Sequence, residues 1–173
     1  ACCLGDGGCS ELSESCCLKD GGDYQGDKSL CDNANCSILG DGDECESAMF
    51  AVVGANAFET NTATPSPNEP DDSQCSGTYL DWNNSPDVWF LFVPTSSGNV
   101  QFTTCDSSSY DTSMALYEGA CDNQVACNGD AEGDSGCQAY YSAIDYNVEA
   151  GESYYIRLGG WQGITGAGTL TIE

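Results

Sequence analysis

The chain has 173 residues, with 28 Asp and Glu against 3 Lys and Arg, a formal net charge of −25 and no histidine. A field that negative repels phosphate backbones and anionic lipid, which argues against nucleic acid or a membrane surface as partner. Without histidine, Ser-His, Cys-His and His-ligated metal chemistry are excluded. The 13 cysteines approach the density of a disulfide scaffold and place the chain in an oxidising setting, extracellular or at the cell surface. No stretch reaches the ~18 apolar residues of a membrane span. A start at Ala1, without Met or signal peptide, reads as a processed product.

Residues 1–40 are crowded with Cys, Gly and Asp, and Leu4, Leu12, Leu18, Leu30 and Ile38 supply nearly all of their aliphatic mass. That is too little for a core, so this segment is expected to be a small disulfide-stapled module. Gly40-Asp41-Gly42-Asp43-Glu44 forms a polar joint. From Met49 onward the apolar period is two. Thr60 to Asp72, with Pro65, Pro67 and Pro70, reads as a loop or edge crossing, and Thr60 to Pro67 as an exposed Thr/Ser/Pro surface loop. Val88, Phe90 and Phe92 alternate with Trp89, Leu91 and Val93, so both faces are apolar and the strand is expected to be central. Val100, Phe102 and Thr104 are expected beside it, after the turn at 96–99. Met114 and Leu116 form one face of the next strand. Ile144, Tyr146 and Val148 alternate with Ala143, Asp145 and Asn147, as in a half-solvated strand. Tyr154, Ile156 and Leu158 follow the turn at 149–152, and Leu170 and Ile172 close the chain. No segment keeps a helical period. Residues 41–173 are therefore expected to be all-β, an antiparallel β-sandwich or jelly roll, with Val88, Phe90, Phe92, Phe102, Leu116, Ile144, Ile156 and Leu170 in its core.

The runs Asp87-Val88-Trp89-Phe90-Leu91-Phe92, Asp111 before Met114-Ala115-Leu116-Tyr117, Gly151 to Leu158, and Gly168-Thr169-Leu170-Thr171-Ile172 resemble the bacterial pre-peptidase C-terminal domain family. The resemblance spans about 43–173. It implies a non-catalytic β-sandwich of secreted enzymes and surface proteins, some members of which bind calcium or extracellular polymers. It makes Asp111 a strand-entry residue. It also implies a calcium set of Asp43, Glu44 and Glu46 with Asp87. Residues 1–36, with Cys2-Cys3, Gly21-Gly22 and Cys31 to Cys36, resemble a Cys-rich repeat of large secreted bacterial proteins. That repeat usually carries one cysteine where this chain has Cys16-Cys17. The match falls on Cys17, which leaves Cys16 as the surplus cysteine, a free thiol or a link to another subunit.

Several motifs carry no chemistry. Gly133-Asp134-Ser135-Gly136 copies the nucleophile loop of chymotrypsin-like proteases, but the serine has no histidine base. Asp111-Thr112-Ser113 mimics an aspartic-protease signature that lacks its second copy. A carboxylate pair for glycoside hydrolysis is inevitable among 28 acids and signals nothing. Cys31 and Cys36 fit a disulfide better than zinc in this compartment.

Asn128-Gly129-Asp130-Ala131-Glu132-Gly133 starts like a calcium loop but has Ala139 where the bidentate acid belongs, so Ca2+ is expected, if at all, on Asn128, Asp130, Glu132 and Asp134 outside an EF-hand. Tyr79, Trp82, Tyr110, Tyr140, Tyr141 and Trp161 lie near expected turns, where rings can stack on sugar. Thirteen cysteines leave at least one unpaired. Expected pairs are Cys45 with Cys75, Cys121 with Cys127 across a tight loop, and Cys105 with Cys137. Two functions follow as expectations. The first is a non-catalytic structural subunit of an extracellular filament or matrix that self-associates head to tail. The alternative is a carbohydrate- or polymer-binding accessory module contacting polysaccharide through Tyr79, Trp82 or Trp161.

Overall fold

The computed structural model describes residues 2–3, 9–19, 23–24, 42–75, 80–131 and 136–173. Near the N-terminus, β1 (Cys2–Cys3) is flanked by β2 (Cys9–Ser10) and by β3 (Asp23–Tyr24), both antiparallel. Between β2 and β3 lies α1 (Glu14–Lys19), and Cys17 on it is buried and bonded to Cys2. This helix leaves no periodic trace in the sequence, because six residues are too few for a period to emerge. The disulfide supplies the stability that propensity does not.

The rest of the described chain is a two-sheet sandwich. β4 (Met49–Phe50), β6 (Val88–Phe92), β8 (Thr112–Glu118), β9 (Gln124–Asn128) and β11 (Tyr154–Gly160) make one sheet in the order β4-β6-β11-β8-β9, with only β4 and β6 parallel. β5 (Gly54–Glu59), β7 (Gly98–Thr103), β10 (Ala143–Val148) and β12 (Ala167–Ile172) make the other, in the order β10-β7-β12-β5. The all-β sandwich expected from the alternation is the observed fold. Its core holds all eight residues singled out above, joined by Phe58, Met114, Val148, Tyr154, Leu158 and Ile172. Each such side chain contributes about 1.5–3 kcal/mol by leaving water.

Sheet assignment differs from expectation. β7 does not pair with β6; Pro94 and the turn after it carry the chain to the opposite sheet, where β7 pairs with β10 and β12. Phe92 and Phe102 therefore meet across the sandwich, edge to face, with ring centroids 5.8 Å apart. β6 is interior but second in its sheet, and β11 holds the centre.

The five-stranded sheet has a second apolar face. Cys45, Leu80, Trp82, Trp89, Ala115, Tyr117 and Cys127 form a separate buried cluster on its outer side, covered by the 42–48 turn and by residues 60–75 and 80–87. Two disulfides pin this cover, Cys45–Cys121 and Cys75–Cys127, and a third joins Cys105 to Cys137. The pairs Cys45–Cys75 and Cys121–Cys127 do not form. Cys127 belongs to extended β9, and at about 3.3 Å per residue a strand carries it beyond disulfide reach of Cys121. Cys75 instead runs alongside Cys127. The Cys45–Cys121 bond closes a separation of 76 residues, worth about 4 kcal/mol in the chain-entropy account. The double variant Cys45→Ser/Cys121→Ser should lose roughly 3–4 kcal/mol in urea unfolding; a loss below ~1 kcal/mol would show that packing alone holds the cover.

Candidate functional site

The outer face of the five-stranded sheet is built around Arg157, the chain's one arginine. Strand register sets Trp89, Arg157, Ala115 and Cys127 in one row across β6, β11, β8 and β9. Arg157 is 1 % exposed. Its Nη2 donates to Asp87 Oδ2 at 2.8 Å and to the Ser66 carbonyl at 3.0 Å, and its Nη1 donates to the Asn68 carbonyl at 2.6 Å. The guanidinium carbon lies 4.9 Å from the Trp82 ring centroid and 5.1 Å from that of Trp89. Asp87 also accepts from Ser66 N and Oγ, and Ser66 Oγ accepts from Trp89 Nε1. One buried cation thus organises a loop that has no regular structure of its own. Gly159 makes room for it, because a Cβ there would meet the Trp82 ring at 2.8 Å.

Over this row opens a cleft of about 760 Å³. Trp89, Tyr117 and Arg157 line it, with the acids Glu44, Glu46, Glu69, Asp71 and Asp122 and the amides Asn68, Gln74, Asn123 and Gln124. A smaller cavity of about 340 Å³ shares Glu69 and reaches Trp82 and Asp81.

A second feature is one end of the sandwich, at the entry to β8. Trp161 N donates to the Asp111 carbonyl, and Thr112 N donates to the Tyr140 carbonyl. These bonds fix two exposed aromatic residues on either side of the strand entry, Trp161 at 37 % and Tyr140 at 57 % exposure. Gly160 permits the tight turn that presents Trp161, since a Cβ there would collide with the Ile164 carbonyl. Gln162 donates from N and Nε2 to Asp81, tying this turn to the 81–84 loop. Asp81, Asn83, Asn84 and Gln162 all hold left-handed φ angles, a strained arrangement that the surrounding bonds must maintain. Beneath, Thr104, Thr112 and Ser142 form a buried hydroxyl chain. Partial burial and the nearby Asp130 carboxylate push the Asp111 carboxyl up to about 6, and burial pushes the Tyr110 phenol up to about 12.

The sequence-derived candidates fall unevenly on this geometry. Asp87 is not available to a cation, being fully buried and bonded to Arg157 and Ser66. The Asp43 carboxylate accepts from Thr64 N and Oγ1, anchoring the cover. Glu44 and Glu46 rim the cleft, so the set with Asp87 does not converge. Asn128 ends β9 and its Oδ1 accepts from Ala143 N; Asp130 faces Asp111. Glu132, Asp134 and Tyr79 lie outside the described residues. Among the described residues no three acids or cysteines come together as a metal set. Trp82 and Tyr141 are buried and Tyr110 is half-buried, bonded through its hydroxyl to Thr60 and the Gly159 carbonyl. Cys16 is exposed and outside any disulfide. Sequence reasoning assigned Arg157 no role; the signal was a lone cation inside an apolar strand, with one buried acid opening another.

The chain belongs to the T9SS-associated galactose binding domain-like family, whose model matches residues 41–172. Among solved structures it is similar to the pre-peptidase C-terminal domain of a collagenase from Bacillus anthracis, at 10 % identity and a TM-score of 0.43, covering 72 % of this chain and 92 % of that one. No curated protein matches the chain. The family is of a binding or accessory type, and its T9SS association is that of a secreted protein. No helix among the described residues is long and apolar enough to cross a membrane.

The raised Asp111 carboxyl has a direct consequence for stability. Its folded-state value of about 6 lies above the ordinary 3.8, so between these values the folded chain holds the proton more tightly and loses stability as pH rises. Asp111→Asn should therefore raise the melting temperature at pH 7 relative to the parent and leave it nearly unchanged at pH 4. Equal shifts at both pH values would mean that this carboxyl titrates normally.

Proposed function

We propose that the chain is the carbohydrate-binding, non-catalytic accessory module of a secreted protein. The observation that carries this reading is the pair of exposed rings, Tyr140 and Trp161, whose backbones are held by adjacent bonds at Asp111 and Thr112. Sugar rings stack on such surfaces through their C–H faces. Membership of a galactose binding domain-like family supports the class of ligand. Charge narrows it further. Residues 41–173 contain no lysine and a single arginine, and that arginine is buried, so every exposed charged side chain there is negative. Uronate or sulfated polymers would be repelled, and uncharged or amine-bearing glycans are favoured.

Calorimetric titration with neutral galactose-containing oligosaccharides tests the reading. Trp161→Ala should weaken binding by about five- to tenfold, the worth of one stacked ring, with the melting temperature little changed. Undiminished affinity in Trp161→Ala and Tyr140→Ala, or no binding by the parent chain, would reject this site.

A second reading, a self-assembling subunit, draws on the exposed thiol of Cys16. Disulfide-linked oligomers on non-reducing gels that vanish in Cys16→Ser would favour it; a monomer band throughout leaves the binding module.

A further inference from the structure

The cleft on the outer face of the five-stranded sheet, 760 Å³ in volume, is of ligand size. Its chemistry is lopsided. The rim supplies the carboxylates of Glu44, Glu46, Glu69, Asp71 and Asp122. Glu46 and Asp122 make no hydrogen bond or ion pair with any described residue, while Glu69 accepts from Asn84 N and Asp71 from Ser73. The donors of the cleft are largely committed elsewhere. Gln124 Nε2 donates to the Asp71 carbonyl, Asn123 Nδ2 to the Glu118 carbonyl and Trp89 Nε1 to Ser66 Oγ. Both Nη atoms of Arg157 are bonded to Ser66, Asn68 and Asp87. The rim carboxylates therefore suit a ligand that brings hydrogen-bond donors and positive charge.

The floor asks for something different. Arg157 lines the cleft, and its buried Nε has no hydrogen-bond partner. In the adjoining cavity the buried Trp82 Nε1 is in the same condition. Orphaned donors of this kind call for an acceptor oxygen. A simple polyamine offers none. A molecule carrying ammonium groups for the rim and ring or hydroxyl oxygens for the floor satisfies both.

We infer that this cleft is a carbohydrate subsite selective for sugars with free amino groups, separate from the ring pair at the β8 entry. The inference rests on the carbohydrate reading above and names a second location and ligand class for it.

The probe is an oligomer of β-linked glucosamine, compared with its fully N-acetylated counterpart. Acetylation removes the charge and two of the three N–H donors while keeping the sugar oxygens. The parent chain should bind the free-amine oligomer at least about tenfold more tightly, as one lost charge-assisted contact implies. Two triple variants separate the cleft from the general negative field. Glu46→Gln/Glu69→Gln/Asp122→Asn neutralises the rim, and the amide oxygen introduced by Glu69→Gln can still accept from Asn84 N. Glu59→Gln/Asp145→Asn/Glu152→Gln removes the same charge on or beside the four-stranded sheet. The rim variant should lose the preference for the amine, and the control should keep it. Equal weakening by both triples, or equal affinity for the acetylated oligomer, would overturn the inference. Binding of neutral galactose-containing oligosaccharides at Trp161 is read out independently, and it should survive the rim triple, so failure of the cleft and failure of the carbohydrate reading give different results.

Discussion

The structure turns on one buried charge. A guanidinium taken out of water costs several kcal/mol unless its bonds are replaced, and Arg157 replaces them with Asp87 and two loop carbonyls. Those carbonyls belong to Ser66 and Asn68, in a stretch rich in proline that cannot join a sheet. The arginine thus gives an irregular segment its place, and the indoles of Trp82 and Trp89 close over the same cation. What would be a solvent-facing surface in a simple sandwich becomes a second core, fastened at its margins by Cys45–Cys121 and Cys75–Cys127.

This arrangement decides what chemistry the exterior presents. Burying the sandwich's one cation leaves a wholly acidic surface, and holding the cover in place commits the nearby amide donors. The charged groups left on the sandwich surface are carboxylates, and the exposed rings are the few that the turns push outward. Trp161 reaches solvent because Gly159 and Gly160 let the indole of Trp82 and the 161–164 turn crowd the end of β11. The fold and the chemistry of its surface therefore have a common origin in the same strand.

Much of the sandwich was legible in the sequence, because alternation is a local property. Val88 to Phe92, Ile144 to Val148 and Tyr154 to Leu158 each state a strand and its buried side without reference to the rest of the chain. The choice of partner strand is not local. The short links at 94–97 and 149–153 look like hairpin turns, yet each passes from one sheet to the other. The same limit misled the cysteine pairing, which depends on β9 being extended. Exposure of an aromatic was equally out of reach: Trp82 and Trp161 both lie near turns, and the contact with Arg157 that covers the first is made by a strand far along the chain.

If Arg157 and Asp87 hold the cover as a pair, their substitutions cannot be independent. Urea unfolding of Asp87→Asn, Arg157→Met and the double variant forms the appropriate cycle. The account predicts a loss of roughly 3–5 kcal/mol for Asp87→Asn, which strands a buried guanidinium. It also predicts that the double variant loses less than the sum of the singles by about 2 kcal/mol, in the range of directly bonded pairs. Single losses below about 1 kcal/mol that simply add would contradict it, and would mean that the disulfides and apolar packing hold the outer layer without the buried charge.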